Sequence, residues 1–189
     1  MNSELFSKIL RKDDISLRQF VSSDAFELFT LTDKNRDYLR QFLPWLDRTR
    51  TVTDTERFIT NSLTGAKEGK CADFGIYYQD KLVGAIGFHS VDQENKKTTI
   101  GYWLDKGHQG KGIITQSVKM LIDFAFIELG LNRIQINCAP ENTKSAAIPK
   151  RLGFTKEGIA HQSEWLYDHF VDWEQYSLIK QDWKTLNYF

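Results

Sequence analysis

The hydrophobic pattern between residues 98 and 137 constrains the fold more than any other feature of the chain. Residues 98–104 read as a β-strand, and apolar residues then recur at positions 114, 118, 121 and 125, the spacing of one helix face. Residues 133–137 read as a strand again. A strand, a glycine-rich turn, a helix and a second strand form a parallel crossover, so we expect one parallel β-α-β unit here.

The other segments predict an α/β fold around this unit, with a central mixed, mostly antiparallel sheet and flanking helices. Gln79 and Asp80 separate two strand patterns as a hairpin turn does. Pro149 lies inside a predicted helix, which we therefore expect to be short or kinked. The expected strands are residues 15–20, 72–78, 81–88, 155–166 and 170–180, and the expected helices start near residue 24 and cover 53–67 and 143–152.

Length and charge limit the classes to which the protein can belong. A chain of 189 residues suits a single domain over residues 1–189. Lys plus Arg and Asp plus Glu each number 25, which argues against a generic nucleic-acid-binding protein. No apolar run approaches the roughly 20 residues that cross a bilayer, and the first residues lack a signal-peptide pattern. We expect a cytoplasmic protein that binds neither nucleic acid nor membrane.

The two cysteines give no sign of a covalent or metal-bound framework. Cys71 and Cys138 lie far apart in the sequence and form no CxxC pair. A structural disulfide is unexpected in a reducing compartment, and a Cys-rich metal site is excluded. We therefore expect no metal in this protein.

The turn between residues 104 and 113 is rich in glycine and leads directly into a helix. Gly107, Gly110 and Gly112 let the backbone adopt positive φ and approach a ligand closely. The first N–H groups of the helix point into this turn, and Lys111 adds a positive charge. These features predict a phosphate site; the alternative is a plain turn in which glycine only relieves strain.

Two common phosphate-binding motifs do not fit this turn. A Walker A loop needs Ser or Thr after its Gly-Lys pair, whereas Gly112 follows Lys111, and Asp105 stands where the first glycine belongs. The glycine spacing G-x-x-G-x-G also differs from the G-x-G-x-x-G of dinucleotide-binding proteins. A nucleoside triphosphate and a dinucleotide are therefore both disfavoured.

The turn resembles the Q/R-x-x-G-x-G/A signature of the GCN5-related N-acetyltransferases (GNAT), with residues 109–114 reading Gln-Gly-Lys-Gly-Ile-Ile. Ile114 departs from the usual Gly or Ala, although it keeps its backbone N–H. The strand at 133–137, the helix start at Asn142 to Ser145 and the Leu-Gly-Phe at 152–154 are similar to later motifs of that family. Residues 38–45 resemble the substrate-side loop of its RimJ/RimL-like branch, which acetylates protein N-termini.

This resemblance implies acetyl-CoA as co-substrate and direct acetyl transfer to a primary amine. The acceptor it suggests is a protein N-terminal α-amine, such as that of a ribosomal protein. Two alternatives stay open: a small-molecule amine as acceptor, and a CoA-binding module without turnover. A homodimer also stays open, because the sequence does not determine the oligomeric state.

The resemblance also assigns roles to individual residues. Ser145 is the expected catalytic group that meets the thiol or thiolate, because no Tyr occurs between Gly107 and Gly153. Phe42 and Trp45 are expected to wall the acceptor site. Plain core packing, a helix cap and a first-turn Ser are the structural alternatives for these side chains. The expected cofactor-binding residues are Trp103, Leu104, Gln109, Gly110, Lys111, Gly112, Ile113, Ile114, Asn142 and Ser145.

The base that accepts the amine proton is the least defined part of the expected site. Glu164 and His89 lie on predicted strands and are candidates, although a surface or structural role is the simpler interpretation of each. An α-amine has a pKa of about 7.7–8.0, whereas a lysine side chain has a pKa of about 10.4. An N-terminal amine therefore needs less help from a base, which favours it as the acceptor.

Overall fold

The computed structural model describes residues 6–186 of the chain. Its strands are β1 Leu10–Lys12, β2 Ile15–Gln19, β3 Ala72–Tyr78, β4 Lys81–Phe88, β5 Lys97–Leu104, β6 Arg133–Cys138, β7 Thr155–Leu166 and β8 His169–Ile179. These strands form one sheet in the order β1-β2-β3-β4-β5-β6-β8-β7. β5 and β6 run parallel, and the other neighbours within the described residues are antiparallel.

The helices flank this sheet, and the longest one shows why its sequence forms a helix. Thr51 accepts a hydrogen bond from the N–H of Asp54, and the Asp54 carboxylate accepts one from the N–H of Thr51, which together cap the first turn. The helices are α1 Ala25–Lys34, α2 Arg36–Leu39, α3 Val52–Lys67, α4 Ile113–Asp123, α5 Thr143–Arg151 and α6 Lys180–Thr185, and α4 continues as a π-helical turn, Phe124–Glu128.

The predicted mixed sheet with one parallel crossover is confirmed. Gln79 and Asp80 form the predicted hairpin turn between β3 and β4, and both have the positive φ that such two-residue turns need, 51° and 61°. The sequence analysis did not predict β1 or α6. They span three and six residues, which is too short for a hydrophobic period to stand out.

The two faces of the sheet are covered by different helices. On one face α4 and α5 enclose the larger apolar cluster, which includes Ile100, Val118 and Ile134. On the other face α1 and α3 enclose a smaller cluster. Since successive side chains of a strand point to opposite faces, Tyr102 packs against the first cluster and Trp103 against the second.

The parallel pair of β5 and β6 is unusually short. Only residues 97–99 pair with residues 133–135. β5 continues to Leu104 with β4 as its partner, and β6 continues to Cys138 with β8 as its partner. The sheet therefore separates along the line between β5 and β6, and the two halves keep their outer neighbours.

α5 runs through its proline rather than stopping before it. Pro149 is buried and lies two residues before the last residue of the helix, Arg151. The helix has nine residues and is short, as the sequence predicted. A proline near the C-terminus of a helix removes a single backbone hydrogen bond, the one to the carbonyl four residues earlier. In α5 that carbonyl belongs to Ser145.

Gly84→Ala is expected to destabilise the strand pair that carries the end of β5. A Cβ at residue 84 would lie 2.3 Å from the backbone oxygen of Trp103, and a backbone atom cannot move aside as a side-chain end can. We expect a loss of about 1–3 kcal/mol in the free energy of unfolding, measured with denaturant. The control is Gly158→Ala, where a Cβ would meet no atom within 4 Å. Equal stability of the two variants would contradict this contact.

Candidate active site

A cleft of about 870 Å³ opens where β5 and β6 separate. It is lined by the end of β5, the turn before α4, the first turn of α4, α5, and the segment that follows α2. The sequence predicted a phosphate site in the turn that follows β5, at this end of the strand. The strand separation therefore provides the space, and the surrounding turns and helix ends provide the chemical groups.

The glycine turn presents an anion site to this cleft. Gly110 and Gly112 have φ of 77° and 76°, and a Cβ at either position would meet no protein atom within 4 Å. The first α4 bond described at this turn runs from the N–H of Gln116 to the carbonyl of Gly112, so the N–H groups of residues 113–115 have no acceptor inside the helix. Free space and unpaired donors together fit a pyrophosphate group.

Asp105 anchors the beginning of this turn. Its carboxylate accepts a hydrogen bond from Asn35 at 2.8 Å and pairs with the His108 ring at 2.6 Å. Asn35 accepts a further hydrogen bond from the N–H of Lys106 at 3.0 Å. Burial alone would raise the pKa of Asp105, but the hydrogen bonds from Asn35 and His108 outweigh it and hold the pKa below its usual value. The charged carboxylate ties the turn to the end of α1.

Gln109 joins three walls of the cleft. Its amide nitrogen donates to the hydroxyl of Tyr38 on α2, and its amide oxygen accepts from the ammonium group of Lys144 on α5 at 3.0 Å. Arg151 donates to the hydroxyl of Thr115 at 2.8 Å, which links α5 to α4. Two cationic side chains thus lie beside the glycine turn, where they favour an anionic ligand.

The edge of β5 that faces away from β4 offers backbone groups to the cleft. The N–H of Asp105 donates to the carbonyl of Val83 at 2.7 Å, towards β4. Backbone groups alternate between the two edges of a strand, so those of Trp103 also face β4. The N–H and C=O groups of Tyr102 and Leu104 face the edge that β6 has left. Trp103 contributes its side chain to the lining instead.

Ser145 lies at the start of α5 among polar neighbours. Asn142 caps the helix by accepting a hydrogen bond from the N–H of Ser145 at 3.1 Å. The hydroxyl of Tyr102 donates to the carbonyl of Ser145 at 3.1 Å. The hydroxyl oxygen of Ser145 lies 3.2 Å from the hydroxyl oxygen of Tyr102. Burial raises the pKa of the nearby Cys138 thiol to about 11. Cys138 is therefore a neutral thiol at pH 7 and a poor nucleophile.

Phe42 and Leu43 line the cleft in the segment that follows α2. The β7–β8 turn holds this segment, because the hydroxyl of Tyr167 donates to the carbonyl of Leu43 at 2.5 Å. The guanidinium of Arg40 lies 3.8 Å from the centroid of the Tyr167 ring, a distance at which a cation–π attraction operates. This wall and the β7–β8 hairpin are therefore one structural unit.

The two candidate bases lie away from the cleft lining. Glu164 is half-buried on β7, where burial raises its pKa and the indole N–H of Trp173 lies 3.4 Å from its carboxylate. His89 follows β4, and its ring occupies the space above Gly101, where a Cβ would lie 2.0 Å from a ring carbon. Across the described part of the chain, neither side chain lines the cleft. Glu164 is on the same hairpin as Tyr167.

The structure brings most of the predicted site residues together. Two lie outside the lining: the ammonium group of Lys111 is 5.4 Å from the ring centroid of Tyr78, and the ring of Trp45 is 6.4 Å from that of Trp103. The predicted residues that line the cleft are Phe42, Trp103, Leu104, Gln109, Gly110, Gly112, Ile113, Ile114, Asn142 and Ser145.

Comparison with known proteins identifies the family. Residues 14–155 of this chain match the acetyltransferase (GNAT) domain family. This chain belongs to the GNAT acetyltransferase family. The expected GNAT fold, the expected enzyme class of N-acetyltransferase and the expected use of acetyl-CoA as co-substrate are thereby confirmed.

Relatives place the chain in the RimJ/RimL-like branch of the GNAT family. The ribosomal-protein-serine acetyltransferase of Escherichia coli (strain K12) is 32% identical over 88% of this chain and 93% of its own length. The structure of RimL, a ribosomal L7/L12 alpha-N-protein acetyltransferase in complex with coenzyme A, has a TM-score of 0.88 and 29% identity, covering 91% and 98%. The microcin C7 self-immunity acetyltransferase MccE, in complex with acetyl-CoA and AMP, has a TM-score of 0.85 and 32% identity, covering 89% and 93%.

Tyr102 is the residue of this GNAT site that the sequence analysis missed. No tyrosine occurs between Gly107 and Gly153, but Tyr102 reaches Ser145 from β5. The strand alternation contained the signal, because it places Tyr102 on the same face of the sheet as Ile100, the face that α5 covers.

The described residues also bear on membrane and metal binding. Residues 6–186 contain no helix that is both long and apolar enough to cross a bilayer. The same residues contain no group of three or more His, Cys, Asp or Glu side chains placed to hold a metal ion. Cys71 and Cys138 are both free thiols.

Asp105→Asn is expected to loosen the glycine turn and destabilise the protein. The amide loses the charge that holds His108, and we expect a loss of about 1–3 kcal/mol in the free energy of unfolding at pH 7. Because the folded-state pKa of Asp105 lies below its unfolded value of about 3.9, its contribution is present above that pH and is lost as the pH falls through the folded pKa.

Urea unfolding between pH 7 and pH 3 checks this prediction. The difference between wild type and Asp105→Asn should stay constant down to about pH 4 and narrow below it. Asp168→Asn is the control, because the Asp168 side chain is 87% exposed and its substitution should leave the stability close to that of wild type. A difference that persists unchanged at pH 3 would show that the charge is not responsible.

Proposed function

We propose that this GNAT enzyme acetylates the N-terminal α-amine of a protein, with a ribosomal protein as the first candidate. The observation that carries the proposal is the similarity, over 88% and 91% of the chain, to two enzymes named as ribosomal-protein acetyltransferases. The cleft supports it, because it joins a phosphate-binding turn to a separate apolar wall. The expected cytoplasmic location is part of the proposal, since ribosomal proteins are made in the cytoplasm.

The residues of the glycine turn would hold acetyl-CoA by its pyrophosphate. The backbone N–H groups of residues 110–114 would donate to the phosphate oxygens, and the N-terminus of α4 would add its partial positive charge. Lys144 and Arg151 are close enough to this turn to add favourable charge. The free edge of β5 at Tyr102 and Leu104 would bind the amide groups of the pantetheine arm. Acetyl-CoA supplies an activated acetyl group, and its transfer leaves a thiolate.

Ser145 would meet that thiolate. Its hydroxyl lies inside the cleft between the end of β5 and α5. A serine hydroxyl has too high a pKa to give up its proton readily, so Ser145 stabilises the negative sulfur by a hydrogen bond rather than by proton transfer. Asn142 positions Ser145 by capping the helix on which it lies.

The acceptor amine would approach along Phe42 and Leu43. These side chains offer an apolar wall, and the hairpin that holds them carries Glu164. Burial raises the pKa of Glu164, which makes its carboxylate a better proton acceptor than an exposed one. An N-terminal amine is partly neutral at pH 7, because its pKa is about 7.7–8.0. The proton that the amine loses on acetylation would pass through water to Glu164.

A small-molecule amine is the second candidate acceptor. The observation that favours it is the similarity to MccE. That protein is named a microcin C7 self-immunity acetyltransferase, and its structure contains AMP beside acetyl-CoA. That relative is 32% identical to this chain, a value equal to that of the ribosomal-protein-serine acetyltransferase. The two candidate acceptors differ in size beside Phe42, so turnover of peptides and of small amines distinguishes them.

Gly112→Asp tests the cofactor site. The carboxylate would face the pyrophosphate, and we expect acetyl-CoA affinity, measured by calorimetry, to fall on the order of 100-fold. Gly130→Asp is the matched control. Gly130 has φ of 65° and equally free surroundings, so it carries the same backbone strain outside the cleft. The affinity of Gly130→Asp for acetyl-CoA should stay within about twofold of wild type. Equal affinity of wild type and Gly112→Asp would show that the pyrophosphate binds elsewhere.

A panel of acceptors tests the reaction. Peptides with different free N-termini, each containing one lysine, are incubated with acetyl-CoA, and thiol release and peptide mass are followed. We expect acetylation at the N-terminus and none on the same peptide with a blocked N-terminus, because the lysine amine is protonated at pH 7. Turnover of polyamines or amino sugars without turnover of any peptide would replace this proposal by the small-molecule alternative.

A further inference from the structure

The carbonyl of Ser145 lacks its normal partner inside α5. In an α-helix the N–H of residue 149 would donate to the carbonyl of residue 145, and a proline has no N–H. The hydroxyl of Tyr102 donates to this carbonyl at 3.1 Å. Pro149 therefore creates a vacancy within the helix, and a side chain from β5 fills it from across the cleft.

This arrangement determines the direction of the neighbouring hydrogen bonds. A carbonyl only accepts, so the one hydroxyl proton of Tyr102 is committed to the carbonyl of Ser145. The 3.2 Å contact between the two hydroxyl oxygens must then be a donation from Ser145 to Tyr102. The Ser145 oxygen keeps a free lone pair for the cleft.

We propose that Tyr102 is a positioning residue that sets the orientation of the Ser145 hydroxyl, and that Pro149 makes this possible. In the free enzyme Ser145 faces the cleft as a hydrogen-bond acceptor. When negative charge develops on sulfur, the Ser145 hydroxyl rotates to donate to it, and the Tyr102 hydroxyl rotates from the carbonyl to the Ser145 oxygen. This inference rests on the proposed placement of acetyl-CoA in the cleft.

The rotation moves no proton between residues. Tyr102 and Ser145 each keep their own proton, and burial raises the pKa of Tyr102 well above its usual range, which keeps it neutral. The exchange gives up a bond to a neutral carbonyl and gains a bond to an anion, which is about twice as strong. The thiolate takes up the proton released by the acceptor amine through water, and the two hydroxyl groups return to their first orientation.

Ligand binding provides a test that needs no acceptor. Calorimetry compares CoA with desulfo-CoA, which lacks the thiol, on wild type and three variants. We expect wild type to prefer CoA by about fivefold, because the thiol donates to the free lone pair of Ser145. Ser145→Ala and Tyr102→Phe should both lose this preference. Tyr77→Phe should keep it, because the Tyr77 hydroxyl pairs with Arg18 outside the cleft.

The binding outcomes separate this inference from the proposed function. If Ser145→Ala loses the preference and Tyr102→Phe keeps it, Tyr102 does not orient Ser145 and the inference fails. If wild type shows no preference for the thiol, Ser145 does not meet the sulfur and the inference also fails, whereas binding of both ligands still supports the cofactor site. If wild type binds neither ligand, the proposed cofactor site itself is wrong.

Two double-mutant cycles complete the test. With the best acceptor peptide, Tyr102→Phe should lower kcat about tenfold in wild type and leave it unchanged in Ser145→Ala, because Tyr102 acts through Ser145. Pro149→Ala restores an N–H for the Ser145 carbonyl, so Tyr102→Phe should lower the unfolding midpoint less in that background than in wild type. Additive effects in both cycles would overturn the inference.

Discussion

Three residues of β5, Lys97 to Thr99, pair with β6, and the pairing then stops. A continued ladder would keep the strands about 4.8 Å apart, and no ligand could enter between them. Because the ladder stops, the backbone groups of Tyr102 and Leu104 are left for a ligand, and the start of α5 comes to face the end of β5. The cleft of this GNAT enzyme depends on those lost backbone hydrogen bonds.

Side-chain contacts replace the missing backbone bonds around this opening. Asp105 ties the glycine turn to α1, Tyr167 ties the β7–β8 hairpin to the segment after α2, and Tyr102 ties β5 to α5. Each contact joins elements that are distant in sequence. The cleft can therefore be wide and still have a defined shape, because its walls are held individually where the sheet no longer holds them together.

Much of the fold followed from local patterns. The strand runs at 72–78 and 81–88 and the turn at Gln79 and Asp80 predicted that hairpin to the residue, because strand propensity and turn chemistry are properties of neighbouring residues. β1 and α6 escaped prediction because they are too short for a period. Pro149 predicted a short or kinked α5; the helix is short, and Tyr102 supplies the lost hydrogen bond from outside.

The sequence by itself determined the crossover and the glycine turn and predicted phosphate binding at that turn, because each depends on residues that are close along the chain. It also indicated Ser145 through a family resemblance. Only the tertiary structure decided that Tyr102 reaches Ser145, that Trp45 packs on Trp103 outside the cleft lining, and that Glu164 lies away from that lining. Strand alternation tells which face a side chain takes, but the distance between two elements depends on how the whole core packs.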